Sequence, residues 1–170
     1  MPFDRAERLR RFEESAIPHL ADVYRLARQM SGAQRAPDLT QEAYLRAWRY
    51  FDSFGQGTNC RAWLFQILHN VWHDHRRRSR AEFENSDPEA FVEPSYDWEG
   101  EFISEELSEE VERALSQLPE VYRWAVLLAD VEELSYREIA EVMGCPVGTV
   151  MSRVNRGRRT LARLLRPERV

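Results

Sequence analysis

Leu134–Arg159, LSYREIAEVMGCPVGTVMSRVNRGRR, is the stretch whose reading decides the fold. Ser135 and Glu138 stand at capping-box spacing: the serine hydroxyl can cap the amide three residues on, and the glutamate can return to the cap amide. A short helix is therefore predicted over Tyr136–Met143, burying Ile139, Ala140 and Val142 or Met143. Gly144 allows the chain to turn where a side chain would clash. Pro146 and Gly148 suit the start of a second helix, whose inner side is Val150, Val154 and Leu161. Small Ala140, Gly144 four residues on and apolar Val150 beyond it form the spacing of a helix-turn-helix.

The second helix turns Thr149, Ser152, Arg153, Asn155, Arg156, Arg158 and Arg159 away from that inner side. A helix that reads the major groove needs hydrogen-bonding side chains near its N-terminal half and arginines for phosphates or guanine edges. An ordinary solvated helix end could also be rich in arginine. Spacing, charge sign and residue types together favour DNA binding.

The surrounding charge supports that reading. The 170-residue chain is acidic overall, at −5. Yet residues 81–110 hold twelve acidic residues and no arginine, and the rest carries 24 arginines against 17 acidic residues. Leu134–Val170 alone has eight arginines and three acidic residues. The acidity thus comes from a central segment between two basic ends. Lysine is absent, which a GC-rich coding bias explains better than a preference for bidentate contacts. That central segment contains Pro88 and Pro94, and its aromatics (Phe83, Phe91, Tyr96, Trp98, Phe102) follow neither helical nor strand period. Residues 81–104 are read as an extended or flexible acidic linker.

The N-terminal end reads as helices. Pro18 opens one that carries Leu20, Val23, Tyr24, Ala27 and Met30 and ends near Gly32. Pro37 opens a second with Leu39, Ala43, Ala47 and Phe51 on one face and Tyr44 and Trp48 beside it. The glycines of Ser53–Asn59 mark a loop, followed by a third helix from about Cys60 to Arg78. After the linker, a helix ending near Leu118 and another from Pro119 to about Val131 lead into the opening stretch. No strand-like alternation occurs, so the expected class is all-α: two small helical domains, 1–80 and 105–170, joined by the linker 81–104.

DLTQEAYLRAWRYFDSF followed by NCRAWLFQILHNVWHDHRRR resembles region 2 of the bacterial sigma-70-type sigma factors of the extracytoplasmic-function (ECF) group, and ALSQLPEVYRWAVLLADVEELSYREIAEVMGCPVGTVMSRVNRGRRTLARLL resembles their region 4. The resemblance implies that Asp38, Gln41 and Glu42, with Arg46 and Arg49, bind the clamp helices of the RNA polymerase β′ subunit, while region 4 meets the β flap. It implies that Asn59, Asn70, Arg76, Arg77, Arg78 and Arg80 serve the −10 element. It also implies −35 contacts through Ser152, Asn155 and Arg156 on a GGAA-type core, with Thr149 beside them and Arg153, Arg158 and Arg159 on phosphates. Met151 and Asn155 depart from the residues many relatives place there. A cognate anti-sigma factor, a stress response and an acidic linker that threads basic polymerase channels are further implications.

Other chemistries find little footing. His69 and His73 have metal-ligand spacing, but the sequence offers no third ligand at a sensible distance, and partly exposed or DNA-facing histidines are expected instead. Cys60 beside Arg61 could be a reactive thiol; Cys145 is expected to pack in its turn. No nucleophile–base pair and no phosphate-binding glycine loop occur, so no enzyme activity, cofactor, metal or small-molecule substrate is expected. The N-terminus lacks the apolar core of a signal peptide, and two separated cysteines fit a reducing cytosol. The competing readings are a stand-alone helix-turn-helix regulator and a sigma mimic that sequesters anti-sigma factors.

Overall fold

The computed structural model describes residues 4–55, 59–85 and 107–166. Its eight α-helices are α1 Arg5–Ala16, α2 Leu20–Ser31, α3 Ala36–Arg49, α4 Cys60–Asn85, α5 Glu109–Ser116, α6 Glu120–Val126, α7 Tyr136–Met143 and α8 Val147–Leu164. No strand occurs among the described residues. The linker expectation lies outside them from residue 86 onward, but α4 runs to Asn85, so residues 81–85 are helical rather than extended. Ala81, Glu82 and Glu84 are good helix formers, and no proline interrupts the chain before Pro88.

Local chemistry sets the helix ends. Pro18 sits in a single 3₁₀ turn, Ile17–His19, that leads into α2. Gly32 ends α2 at φ 85°, its N–H bonded to Arg28 O at 2.8 Å. Ser135 and Glu138 form both hydrogen bonds of the capping box, at 3.2 and 3.0 Å. Gly144 is left-handed at φ 63°. Two features were not foreseen. The charged N-terminus forms α1, with only Phe12 and Ala16 fully buried. Beyond α6 the helix continues as a π-helical segment, Leu127–Val131.

In the N-terminal unit α2, α3 and α4 pack together, and α1 lies across them. Phe12 inserts edge-on among Tyr44, Trp48 and Phe51, with centroids at 6.3, 5.3 and 5.3 Å. In the C-terminal unit α8 packs on α6 and α7. Gly157 allows the close approach to α6: a Cβ there would lie 2.5 Å from Val126 Cγ2.

The two units do not stay apart. α4 packs against α7, and Trp124 of α6 sits edge-on to His69 and Trp72 of α4, at 4.9 and 5.6 Å. One apolar cluster runs through both units. His69 is 6% exposed, so the expectation of an exposed or DNA-facing histidine gives way to an interface residue.

Candidate nucleic-acid interface

α8 presents its outer side because its inner side is consumed by packing. Val150, Val154 and Gly157 are buried, which leaves Ser152, Asn155, Arg156, Arg158 and Arg159 exposed and Thr149 and Arg153 half-buried. Not all of these are equally available. Arg158 forms a two-pronged ion pair with Asp130 at 3.0 and 2.6 Å, a tie between α8 and the π segment. That hydrogen bond, followed by a smaller opposing effect of burial, leaves its pKa raised. Arg153 approaches Cys145 Sγ at 3.9 Å, and Arg156 reaches the Tyr122 hydroxyl at 3.5 Å, contacts loose enough to exchange for DNA. Ser152, Asn155 and Arg159 have no side-chain partner among the described residues.

The second group lies on α4. Asn70, Arg78 and Arg80 are exposed on it. Asn59 has a structural role as well: its Oδ1 accepts from the Ala62 N–H at 3.2 Å, capping α4, and its amide donates to Glu138. Arg76 pairs with Glu120 and lies over the Trp72 ring at 5.6 Å, and Arg77 pairs with Asp74. Trp72 is buried and Trp63 half-buried against Phe54 at 4.8 Å, so both are packing residues here.

The third group is on α3, whose buried Leu39, Ala43 and Ala47 turn Asp38, Gln41 and Arg49 outward. Glu42 and Arg46 are half-buried and tied down: Glu42 to Arg46 at 2.8 Å and to His75, Arg46 to Asp74 at 2.8 Å. Leu45, 60% exposed between Gln41 and Arg49, was missed by the sequence reading. Its signal was available: it is a leucine off the apolar stripe of α3. A single exposed leucine is common on protein surfaces; here it adds an apolar group beside Gln41 and Arg49.

Both cysteines are half-buried. Burial pushes Cys60 up to about 11, and Arg61 points its guanidinium at Asp22 and Glu132. Cys145 is half-buried against the core.

His69 gives the chain a defined acid sensitivity. Burial first, then His73 and Arg153, lower its pKa from 6.5 to about 4. His73 and His19 are also lowered, both chiefly by burial. In each case the unfolded chain binds the proton more readily, so stability is complete above pH 6.5 and falls as pH drops below it. For His69 the loss reaches about 3 kcal/mol near pH 4. Between pH 7 and 5 the urea midpoint should fall, and His69→Gln should flatten that slope. Equal slopes in the two proteins would contradict the assignment.

Comparison with known proteins identifies the two units that carry these groups. Residues 17–82 match the family described as Sigma-70 region 2, and residues 108–161 match Sigma-70, region 4. The chain is 40% identical over 152 residues to "ECF RNA polymerase sigma factor EcfG" of Rhodopseudomonas palustris, covering 89% of this chain and 81% of that one. It is 29% identical to "ECF RNA polymerase sigma factor SigW" of Bacillus subtilis over 95% of both chains. Among solved structures, the sigma factor RpoE of Bartonella quintana, crystallised with the anti-sigma factor NepR, superposes with a TM-score of 0.75 and 31% identity, over 93% of this chain and 98% of that one. No described helix is long and apolar enough to cross a membrane. With both sigma regions in order, and such relatives along most of its length, this chain belongs to the ECF RNA polymerase sigma factors, which direct transcription initiation.

Proposed function

We propose that the three exposed groups divide the work of this sigma factor between its two units. Asp38, Gln41, Leu45 and Arg49 dock on the polymerase clamp helices, with Glu42 and Arg46 bracing them from behind. Asn70, Arg78 and Arg80, joined by Asn59, Arg76 and Arg77 once their present partners are exchanged, hold the −10 strand. Ser152, Asn155 and Arg156 read the −35 duplex, and Thr149, Arg153, Arg158 and Arg159 flank them near phosphates. The domain division that goes with this is 1–80, the linker 81–104 and 105–170, with α4 projecting a few residues into the linker.

The observation that carries the reading is the exposure of Ser152, Asn155 and Arg156 together on the outer side of α8, while Val150, Val154 and Gly157 fix that helix from within. Amide, hydroxyl and guanidinium groups there suit base edges in a major groove. The protein itself performs no covalent step; the polymerase does. It acts in the cytoplasm, under control of an anti-sigma protein such as the one bound to its Bartonella quintana relative, and in a stress response. A stand-alone regulator would have no use for a region 2 such as residues 17–82 match.

Run-off transcription with purified core polymerase tests this. Templates with a GGAA-type −35 element and varied −10 sequences should yield new start sites only when the protein is added. Arg156→Ala or Asn70→Ala should lower transcript yield by roughly tenfold, the cost of one good base contact. Tight duplex binding with no polymerase-dependent transcript would overturn the reading.

A further inference from the structure

The outer side of α8 is not uniformly polar. Val147 and Met151, at its N-terminal half, are 39% and 47% exposed, and they are the two exposed large hydrophobic side chains of this helix. A single apolar residue on a surface needs no explanation. These two are a pair: spaced at i and i+4 they lie along one strip, and Asn155 continues it a further turn on. Ser152 stands beside Met151. Gly148, also exposed, leaves the flank of the strip bare, since a Cβ there would meet nothing within 4 Å. Packing does not call for apolar groups at 147 and 151, because Val150, Val154 and Gly157 already fill the inner contact.

The base edges in a major groove are hydrogen-bonding groups with one exception, the C5 methyl of thymine. A thioether side chain is flexible and polarizable and moulds to irregular apolar surface, but it is at best a weak acceptor. Pressed against guanine O6 or cytosine N4 it would strip water from a polar group without replacing the lost bond. Against a thymine methyl it takes apolar surface out of water on both partners. In helix-turn-helix docking the N-terminal residues of the second helix contact the base edges, and Val147 and Met151 stand there. Asn155 carries the amide suited to adenine N6 and N7. Four residues of helix advance ~6 Å and base pairs are spaced ~3.4 Å, so Met151 and Asn155 meet pairs no more than about two steps apart.

We propose that Met151 determines specificity in the −35 contact: with Val147 one turn behind it, its thioether packs on a thymine methyl and makes one position of the element an A·T pair of fixed orientation. This rests on the −35 assignment of α8 above and adds to it a base preference carried by an apolar contact rather than by hydrogen bonds.

The test uses holoenzyme assembled from this protein and core polymerase, on a duplex promoter that it transcribes. Each thymine of the −35 element, on either strand, is replaced in turn by deoxyuridine, which deletes the methyl and keeps the pairing edge. Affinity is read by competition against the unmodified promoter. One such replacement should weaken binding by the parent about fourfold, the worth of one buried methyl group. Met151→Ala should bind the unmodified promoter about as weakly and lose its sensitivity to uracil at that position, because a contact already absent from one partner cannot be lost again from the other. Met151→Leu should keep both the affinity and the sensitivity. Met151 is exposed, so both variants should melt at the parent temperature.

A promoter at which no uracil matters would overturn the proposal. So would a uracil that costs Met151→Ala as much as it costs the parent, since the methyl would then be read by another group. Arg156→Ala keeps the two readings apart. If it weakens binding on every template while no uracil does, the −35 assignment stands and the role of Met151 falls alone. If it binds as the parent does, the −35 assignment falls and takes this proposal with it.

Discussion

Replacing Trp124 by alanine should remove about 3–5 kcal/mol of unfolding free energy, the usual cost of deleting a large buried aromatic. The side chain is 1% exposed and packs edge-on against both His69 and Trp72, so its loss opens a hole between the units as well as beneath α6. Edge-to-face pairs add about 0.5–1.5 kcal/mol beyond the area they bury. Against a total stability of about 5–15 kcal/mol, a loss of this size changes how the chain unfolds. We expect the urea transition followed by circular dichroism to move to much lower denaturant and to separate into two steps. Trp124→Phe should be far milder: it keeps a ring in the site and removes an Nε1–H that has no partner, a group whose burial costs about 1–3 kcal/mol. An alanine variant within about 1 kcal/mol of the parent would show that Trp124 does not join the units.

Gly157→Val should be the most damaging change on the helix that carries the −35 candidates. The first added atom would lie 2.5 Å from Val126 Cγ2 and 3.2 Å from the Tyr122 carbonyl oxygen. Val126 is 2% exposed and has little room to turn away, and the carbonyl belongs to the α6 backbone. α8 must therefore move off α6. We expect a loss of about 3 kcal/mol, the upper end for overpacking a core. Gly157→Ala should lose less, because alanine regains about 1 kcal/mol of helix propensity. Since α6 fixes the orientation of α8, binding to a −35 duplex should weaken in the same order. Thermal unfolding and duplex titration of the three proteins check this; a valine variant with the parent melting temperature would mean that α8 adjusts at no cost.

What could be read from the chain was what its residues decide with neighbours three or four positions away. Ser135 finds Glu138, Gly32 and Gly144 relax into positive φ, and Pro18 and Pro146 start helices; each of these interactions closes within one turn. The stripes of α2 and α3 were visible because burial on one side repeats with the helical period. The helix-turn-helix, the all-α class and the outward set on α8 followed from those local signals. α1 escaped because its apolar residues are too few among charges to make a stripe.

The sequence by itself therefore determined most of the helices, the caps that close within one turn and which residues of α8 face outward, since these rest on contacts between near neighbours; α1 and the last residues of α4 lay beyond it. Only the tertiary structure decided that Glu132 lies between Arg25 and Arg61, residues 107 and 71 positions away, that His69 meets Trp124, and that Gly157 is a point of contact rather than a flexible joint. A buried carboxylate, an uncharged imidazole and a missing Cβ gain their meaning from what lies opposite. Nothing within one helical turn of any of them says what that is.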